Sequence, residues 1–343
     1  MKGAFCGVVA STLIGMVALS AQAQSATPVA VTVDNFARAE SDRYFERVVK
    51  RGALGRFIHA RSLVPVEAQS VVRGNRDTLY SSAVFDLDAG PVTLALPDAG
   101  TRYMSLSVFS EDHNVAAVHY GMGRYTLTKE NAGTRYALVG IRTMVDPRDP
   151  MDMRAAHALQ DAIAVSQPGG PGRFDMPAWE TTSQDSLRRA LVTLGATLPD
   201  SRGMFGPRGK VDPVRHLIGS AIAWGGIPER DALYLIVNPA HNDGKTAYRL
   251  DVPQVPVDGF WSVSVYDANG YYVPNAQGAY TINSLTAKRG GDGTVSIRFG
   301  ACGPDVPNCI PIMPGWNYMV RFYLPRAEIL DGRWKFPDAL PES

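Results

Sequence analysis

Between Arg76 and Val145 the apolar residues fall on every second position, and this constrains the fold more than any other feature. Leu79, Ala83, Phe85 and Leu87 alternate with Tyr80, Ser82 and Asp86. The turn Asp88-Ala-Gly-Pro leads into Val92, Leu94 and Leu96, and Tyr103 to Phe109 and Tyr136 to Val145 repeat the pattern. A period of two places one side of a strand on a core and leaves the other polar. Short alternating runs with turn signals about every 8–12 residues predict antiparallel strands in a sandwich or barrel.

From about Tyr234 the same signal returns. Phe260 to Tyr266 alternates and runs into Asp267-Ala-Asn269-Gly270. Asn-Gly favours a type I′ turn, so Tyr271 to Val273 is expected to pair back as a hairpin. Val295 to Phe299 and Tyr318 to Leu324 supply further strands, and 33 Gly and 24 Pro suit a turn-rich chain. The middle reads as helix. Met151 to Val165 is Ala-rich and is ended by the loop Pro168-Gly-Gly-Pro-Gly172. Thr182-Ser-Gln-Asp185 resembles a capping box, opening a helix to Leu194 that buries Leu187, Leu191 and Leu194. Asp212-Pro213 pairs an N-cap with Pro at the first helical position, and Val214, Leu217, Ile218, Ala221 and Ile222 share a face before Gly225-Gly226. Asp34 to Lys50 reads as one more helix, capped by Asp34. The expected architecture is α+β and mostly β. Two antiparallel sandwich- or jelly-roll-like domains, 34–150 and 234–343, are joined by a helical segment, 151–233. There is no internal repeat.

The first 23 residues read as a secretory signal peptide: Lys2, an apolar run from Ala4 to Leu19, then Ala21-Gln22-Ala23. Cleavage after Ala23 would leave 24–33 as a flexible leader and place the protein in the periplasm or outside the cell. No other apolar run approaches the roughly 18 residues of a membrane span. The 34 Lys+Arg balance 33 Asp+Glu, which argues against nucleic acid or an anionic membrane as partner. Cys6 departs with the signal peptide. Cys302 and Cys309 remain, and an oxidising compartment predicts a bridge between them, stabilising by roughly 2.5 kcal/mol in the chain-entropy model.

The block Arg73-Gly-Asn-Arg-Asp-Thr-Leu-Tyr80, followed by Phe85-Asp-Leu-Asp-Ala-Gly-Pro-Val92, resembles the domain of unknown function numbered 1254. Gly259-Phe-Trp-Ser-Val-Ser-Val-Tyr266, Tyr272-Val-Pro-Asn275 and Tyr318-Met-Val-Arg321-Phe-Tyr323 resemble its usual partner, numbered 1214. The resemblance implies two β-rich domains joined by helices and little about chemistry. Asn308-Cys309-Ile310-Pro311 stands where Asn-Trp-Leu-Pro is common in that family.

Three constellations carry candidate chemistry. If Tyr103 to His113 is one strand, Tyr103, Ser105, Ser107, Phe109, Glu111 and His113 share a side. Parity returns His119 to that side. Glu111 and His113 could then act as acid and base, or Glu111, His113 and His119 could hold a divalent metal; the plain alternative is a solvated strand end. In the second, Arg73, Asn75, Arg76, Asp77 and Tyr80 concentrate polar groups around a Gly74 turn, either as a structural turn or as a clamp for a carboxylate or sugar. In the third, Arg321 with Tyr266 and Tyr323, and Asn275 beyond the hairpin, could line a pocket for an anionic or carbohydrate-like ligand. The alternative there is an exposed sheet face with Arg stacked on Tyr. His216 reads as a satisfied histidine beside the helix core. The chain has no G-x-S-x-G, S-x-x-K, H-E-x-x-H or G-x-G-x-x-G, so standard serine hydrolase, zincin and nucleotide chemistries are disfavoured. The reading that follows is an exported protein binding a small polar or anionic ligand in or between its β domains. A hydrolase or lyase using Glu111 and His113, and a structural or assembly protein, are the alternatives. No cofactor is identified, and separate apolar faces make a homo-oligomer reasonable.

Overall fold

Two β-sandwiches account for most of the computed structural model, which describes residues 1, 3, 27–69 and 71–342. Apart from residues 1 and 3, the signal-peptide segment lies outside the described residues. The first sandwich packs a five-stranded sheet on a three-stranded one. The larger has the order β1 (Ile58–His59), β2 (Thr78–Asp86), β7 (Tyr136–Met144), β4 (Met104–Ser110), β5 (Val115–Tyr120). The smaller runs β6 (Gly123–Leu127), β3 (Val92–Leu96), β8 (Ala164–Ser166). Ala83, Phe85, Leu94, Leu106, Val108, Val139 and Ile141 fill the core between them, as the alternation predicts.

The second sandwich packs two four-stranded sheets. One is β12 (Thr281–Asn283), β11 (Trp261–Tyr266), β15 (Asn317–Tyr323), β9 (Ala232–Val237). The other is β14 (Cys309–Ile310), β13 (Val295–Phe299), β10 (Tyr248–Val252), β16 (Leu340–Pro341). Leu250, Trp261, Val263, Ile297, Phe299, Trp316 and Val320 form its core. Sheet pairing is antiparallel throughout except between β13 and β14, which run parallel. The Cys302–Cys309 disulfide forms beside that edge.

Three helices, α1 (Phe36–Lys50), α4 (Thr181–Gly195) and α5 (Pro213–Ile222), bury Phe36, Ala39, Leu191, Ile218 and Ala221 among themselves. Three more are α2 (Lys129–Ala132), α3 (Pro150–Asp161) and α6 (Ala327–Leu330). Among the described residues, no helix is long and apolar enough to cross a membrane.

Several local expectations are corrected. The α3 helix stops at Asp161 and not at Val165, because Ala164 to Ser166 gain a strand partner in β3 while Val165 enters the sandwich core. The α4 helix is capped by Glu180, whose carboxylate accepts from the Ser183 N–H at 3.0 Å, and not by Thr182. Asn35, not Asp34, occupies the cap position of α1. Leu194 and Val214 are exposed, at 52% and 65%, because each points off the helix away from the packed stripe. Asp212 caps α5 through the N–H groups of Val214 and Arg215, as expected.

The predicted hairpin also changes. The Asp267–Gly270 turn closes, with the Gly270 N–H on the Asp267 carbonyl at 3.0 Å. Tyr271 to Val273 form no strand, however. The Tyr272 N–H donates to Gln69 Oε1 at 2.9 Å, so a contact with the other domain outcompetes local pairing. On the side where the hairpin was expected, β11 pairs with β12, and its other edge pairs with β15.

Candidate functional site

The alternation that builds each core leaves each inner sheet with a second, polar side, and the two polar sides meet. In the first domain Tyr80, Arg142, Ser105 and Tyr120 are direct neighbours across β2, β7, β4 and β5. In the second, Asn283, Ser262, Arg321 and Tyr234 form the matching row across β12, β11, β15 and β9. Cross-strand neighbours stand about 5 Å apart, so each row is a continuous polar band. Asn75 Nδ2 links the bands, lying 3.2 Å from Tyr80 Oη and 3.1 Å from Tyr323 Oη. Tyr120 donates to Asp231 Oδ1 at 3.1 Å.

The Arg73-to-Tyr80 block and the Arg321/Tyr266/Tyr323 cluster, separate in the sequence, are therefore one assembly. Arg73 adopts the left-handed conformation (φ 52°) and turns two carbonyls towards the second domain. Arg321 Nη2 donates to Arg73 O at 2.7 Å and Gly74 O at 3.1 Å, while Tyr266 and Tyr272 each donate to Gly74 O at 2.8 Å. Arg321 also reaches Ser264 Oγ at 3.0 Å and Tyr266 Oη at 2.6 Å. Asp77 accepts from Asn283 Nδ2 at 2.9 Å and Thr281 Oγ1 at 3.3 Å, and its backbone N–H is held by Asn75. Burial opposes the charge of Arg321, but the phenols of Tyr266, Tyr272 and Tyr323 and the Asp77 carboxylate outweigh it and raise its pKa. Arg76 lies over the rings of Tyr272 and Tyr280 and donates to Val64 O. Asn275 does not join: its amide closes its own loop on Ala279.

Arg142, at the centre of the first band, went unnoticed among the apolar residues of Tyr136 to Val145. It is 7% exposed and lies over the Tyr80 ring at 5.6 Å. It donates to Gly225 O at 2.7 Å and Ser107 Oγ at 3.3 Å. Burial pushes the Tyr80 phenol up, yet the Arg142 charge and the hydrogen bonds reaching the phenol hold it below the ordinary tyrosine value. Burial pushes Tyr103 up to about 12.

The Glu111, His113 and His119 constellation does not assemble. A register shift after Val108 and a turn at Ser110 to His113 break the parity on which it rested. His119 lies opposite Leu106, whose side chain belongs to the sandwich core, and stacks on Tyr125 at 4.0 Å. Glu111 accepts from the Tyr136 N–H at 3.0 Å and pairs with Arg38 at 3.5 Å. His113 is fully buried between Trp224 and His216, and its Nε2 accepts from the Gly225 N–H at 3.0 Å. Burial first, and His216 second, drive its pKa well below 6.5, so it stands neutral with the proton on Nδ1. Both His216 nitrogens face carbonyls, Met204 O at 2.8 Å and Asp112 O at 3.1 Å. Among the described residues, no group of three or more His, Cys, Asp or Glu is placed to hold a metal.

A cleft of about 1010 Å³ opens where the two domains adjoin. Tyr103, Tyr120 and Phe260 contribute its aromatic side, and Tyr103 contacts Phe260 and Tyr323 at centroid distances of 5.1 and 5.3 Å. Its charged lining is Asp98, Arg102, Asp146, Asp149, Asp152, Asp258, Arg289 and Asp292. Arg102 is already committed to Asp152 and to Met144 O. The Tyr103 hydroxyl is buried and makes no close hydrogen bond, with the Ser105 and Tyr120 hydroxyls beside it. No sequence signal connects these segments, since the cleft exists only through domain docking.

Solved structures share this fold. The VPA0106 protein from Vibrio parahaemolyticus is similar with a TM-score of 0.69 at 18% identity, over 91% of this chain and 98% of that one. An uncharacterized protein from Burkholderia cenocepacia is similar with a TM-score of 0.52 at 13% identity, over 90% and 88%. Among curated proteins no relative matches the chain. Residues 54–167 match the family model described as a protein of unknown function, DUF1254, and residues 237–327 match its counterpart DUF1214. Together the matches cover more than half of the chain, which belongs with the proteins that carry a DUF1254 domain followed by a DUF1214 domain.

Proposed function

We propose that the protein is exported and binds a small polar ligand in the cleft between its two β domains. The observation that carries this reading is the aromatic side of the cleft, where the Tyr103 hydroxyl lies buried without a close hydrogen bond. A buried donor left unmade is costly, and a ligand oxygen or nitrogen would satisfy it. The lining sets the ligand class. Of the six aspartates, Asp152, Asp146 and Asp258 pair with Arg102, Arg148 and Arg326; Asp98, Asp149 and Asp292 outnumber Arg289 and favour a neutral polyhydroxylated or a cationic molecule over an anion. Aromatic rings flanking polar groups suit sugar-like and amine ligands alike. The acid–base alternative lacks comparable support, because Glu111 and His113 are already engaged with Tyr136, Arg38 and Gly225.

The test is thermal unfolding of the mature chain against a panel of neutral saccharides and a panel of diamines at fixed ionic strength. One class is expected to raise Tm in proportion to the logarithm of its concentration. Tyr103→Phe, which removes only that hydroxyl, should leave the free protein's Tm unchanged and weaken the ligand about tenfold. Stabilisation by neither panel would overturn the reading.

A further inference from the structure

The first polar band holds more hydrogen-bond donors than acceptors. Arg142 is more than nine-tenths buried, and among the described residues no carboxylate pairs with it; its bonds go to Gly225 O and Ser107 Oγ, both uncharged. The phenols whose fields act most on it are Tyr80, Tyr234 and Tyr323. Asn75 Nδ2 lies within hydrogen-bond distance of Tyr80 Oη, Tyr323 Oη and Thr78 Oγ1, and its two protons serve at most two of the three. The Tyr80 phenol also lies beside Thr78. Ser105, the direct neighbour of Arg142 across β4 and β7, is fully buried and its Oγ has no partner. Tyr80 and Tyr234 nevertheless remain partly exposed.

A buried cation without a counter-ion, with hydroxyl groups around it, is the complement of an anion rich in lone pairs. We propose that this cluster binds a small carboxylate, held by Arg142 with the hydroxyls of Tyr80, Tyr234, Tyr323 and Ser105 around it. The site goes beyond the cleft and differs from it in chemistry, since the cleft is lined mainly by aspartates. A single guanidinium matches a monoanion. A phosphate dianion would leave one charge buried and unmatched, whereas a carboxylate takes the planar donors of Arg142 and the phenols through two oxygens.

The experiment measures Tm of the mature chain against acetate concentration, with chloride at equal ionic strength as the reference. Acetate is expected to raise Tm progressively and chloride not. Arg142→Gln should abolish the difference between the two anions. Tyr80→Phe and Tyr323→Phe, which keep the rings and remove one proton each, should each weaken acetate about tenfold while the proteins stay folded. If Arg142→Gln does not fold, the two phenylalanine variants decide. Equal Tm in acetate and chloride, or an acetate effect unchanged in both phenylalanine variants, would overturn the proposal, and inorganic phosphate outperforming acetate would overturn the choice of a monoanion. None of these outcomes is read from Tyr103→Phe, so failure of one reading is distinguishable from failure of the other, although Tyr103 packs on Tyr323 at 5.3 Å and borders both places.

Discussion

Arg321 and Arg142 occupy corresponding places on facing sheets, each on an inner strand and each more than nine-tenths buried, yet their surroundings differ sharply. Arg321 meets two backbone carbonyls, a serine and a phenol, with Asp77 acting on it through space. Arg142 has one carbonyl, one distant serine and the phenols of Tyr80, Tyr234 and Tyr323 around it. Buried arginines of the first kind hold a structure together, because removing one leaves carbonyls without donors. Those of the second kind are maintained against their own desolvation, and fold stability does not explain them. The contrast separates the architectural half of the domain junction from the half with chemistry to spare.

Three perturbations test that contrast. Arg321→Met strips Arg73 O of its donor and removes one donor from Gly74 O, and a loss of about 3–5 kcal/mol in urea unfolding is expected. A cost near zero would erase the distinction. Acidification acts next, through the far side of the Arg142 anchor: the Gly225 whose carbonyl holds Arg142 gives its N–H to His113. The His113 pKa is depressed on folding, so below 6.5 the unfolded chain takes a proton that the folded one refuses. Its stabilising share is complete above that pH and declines by about 1.4 kcal/mol per pH unit below it. Urea midpoints on either side of pH 6.5 should show a slope that His113→Gln reduces, and an equal slope in the variant would exclude His113 as its source. Smallest is Arg142→Met without ligand, expected within about 1 kcal/mol of the parent because lost hydrogen bonds offset relieved desolvation. A cost matching that of Arg321→Met would show that both arginines are architectural.

The fold was legible where a strand's apolar side faces its own sandwich. Ala83, Phe85, Leu94, Val108 and Val139 announce their strands through alternation alone. Legibility failed where a distant segment competes with local pairing. Tyr272 leaves the predicted hairpin for Gln69 and Gly74, about two hundred residues earlier. His119 is lost to a one-residue shift, which exchanges the faces of everything beyond it. The candidate site was half legible. Arg321, Tyr266 and Tyr323 were placed correctly opposite the core, and the Arg73-to-Tyr80 block was singled out by its polarity. That these two groups touch depends on how the domains dock, which period and propensity do not encode. Arg142 carried one signal, a lone charge in an otherwise buried strand.

The Gly74 carbonyl has a consequence for how such a protein is inherited and assembled. The oxygen belongs to one sequence family's domain, and the three side chains converging on it, Tyr266, Tyr272 and Arg321, belong to the other's. Each domain carries half of a bonding pattern that only the other completes. Each domain keeps a sandwich core of its own, but the hydrogen bonds of the junction are completed only by the pair. A gene that kept one and lost the other would encode a sandwich with a band of unmatched polar groups across its face.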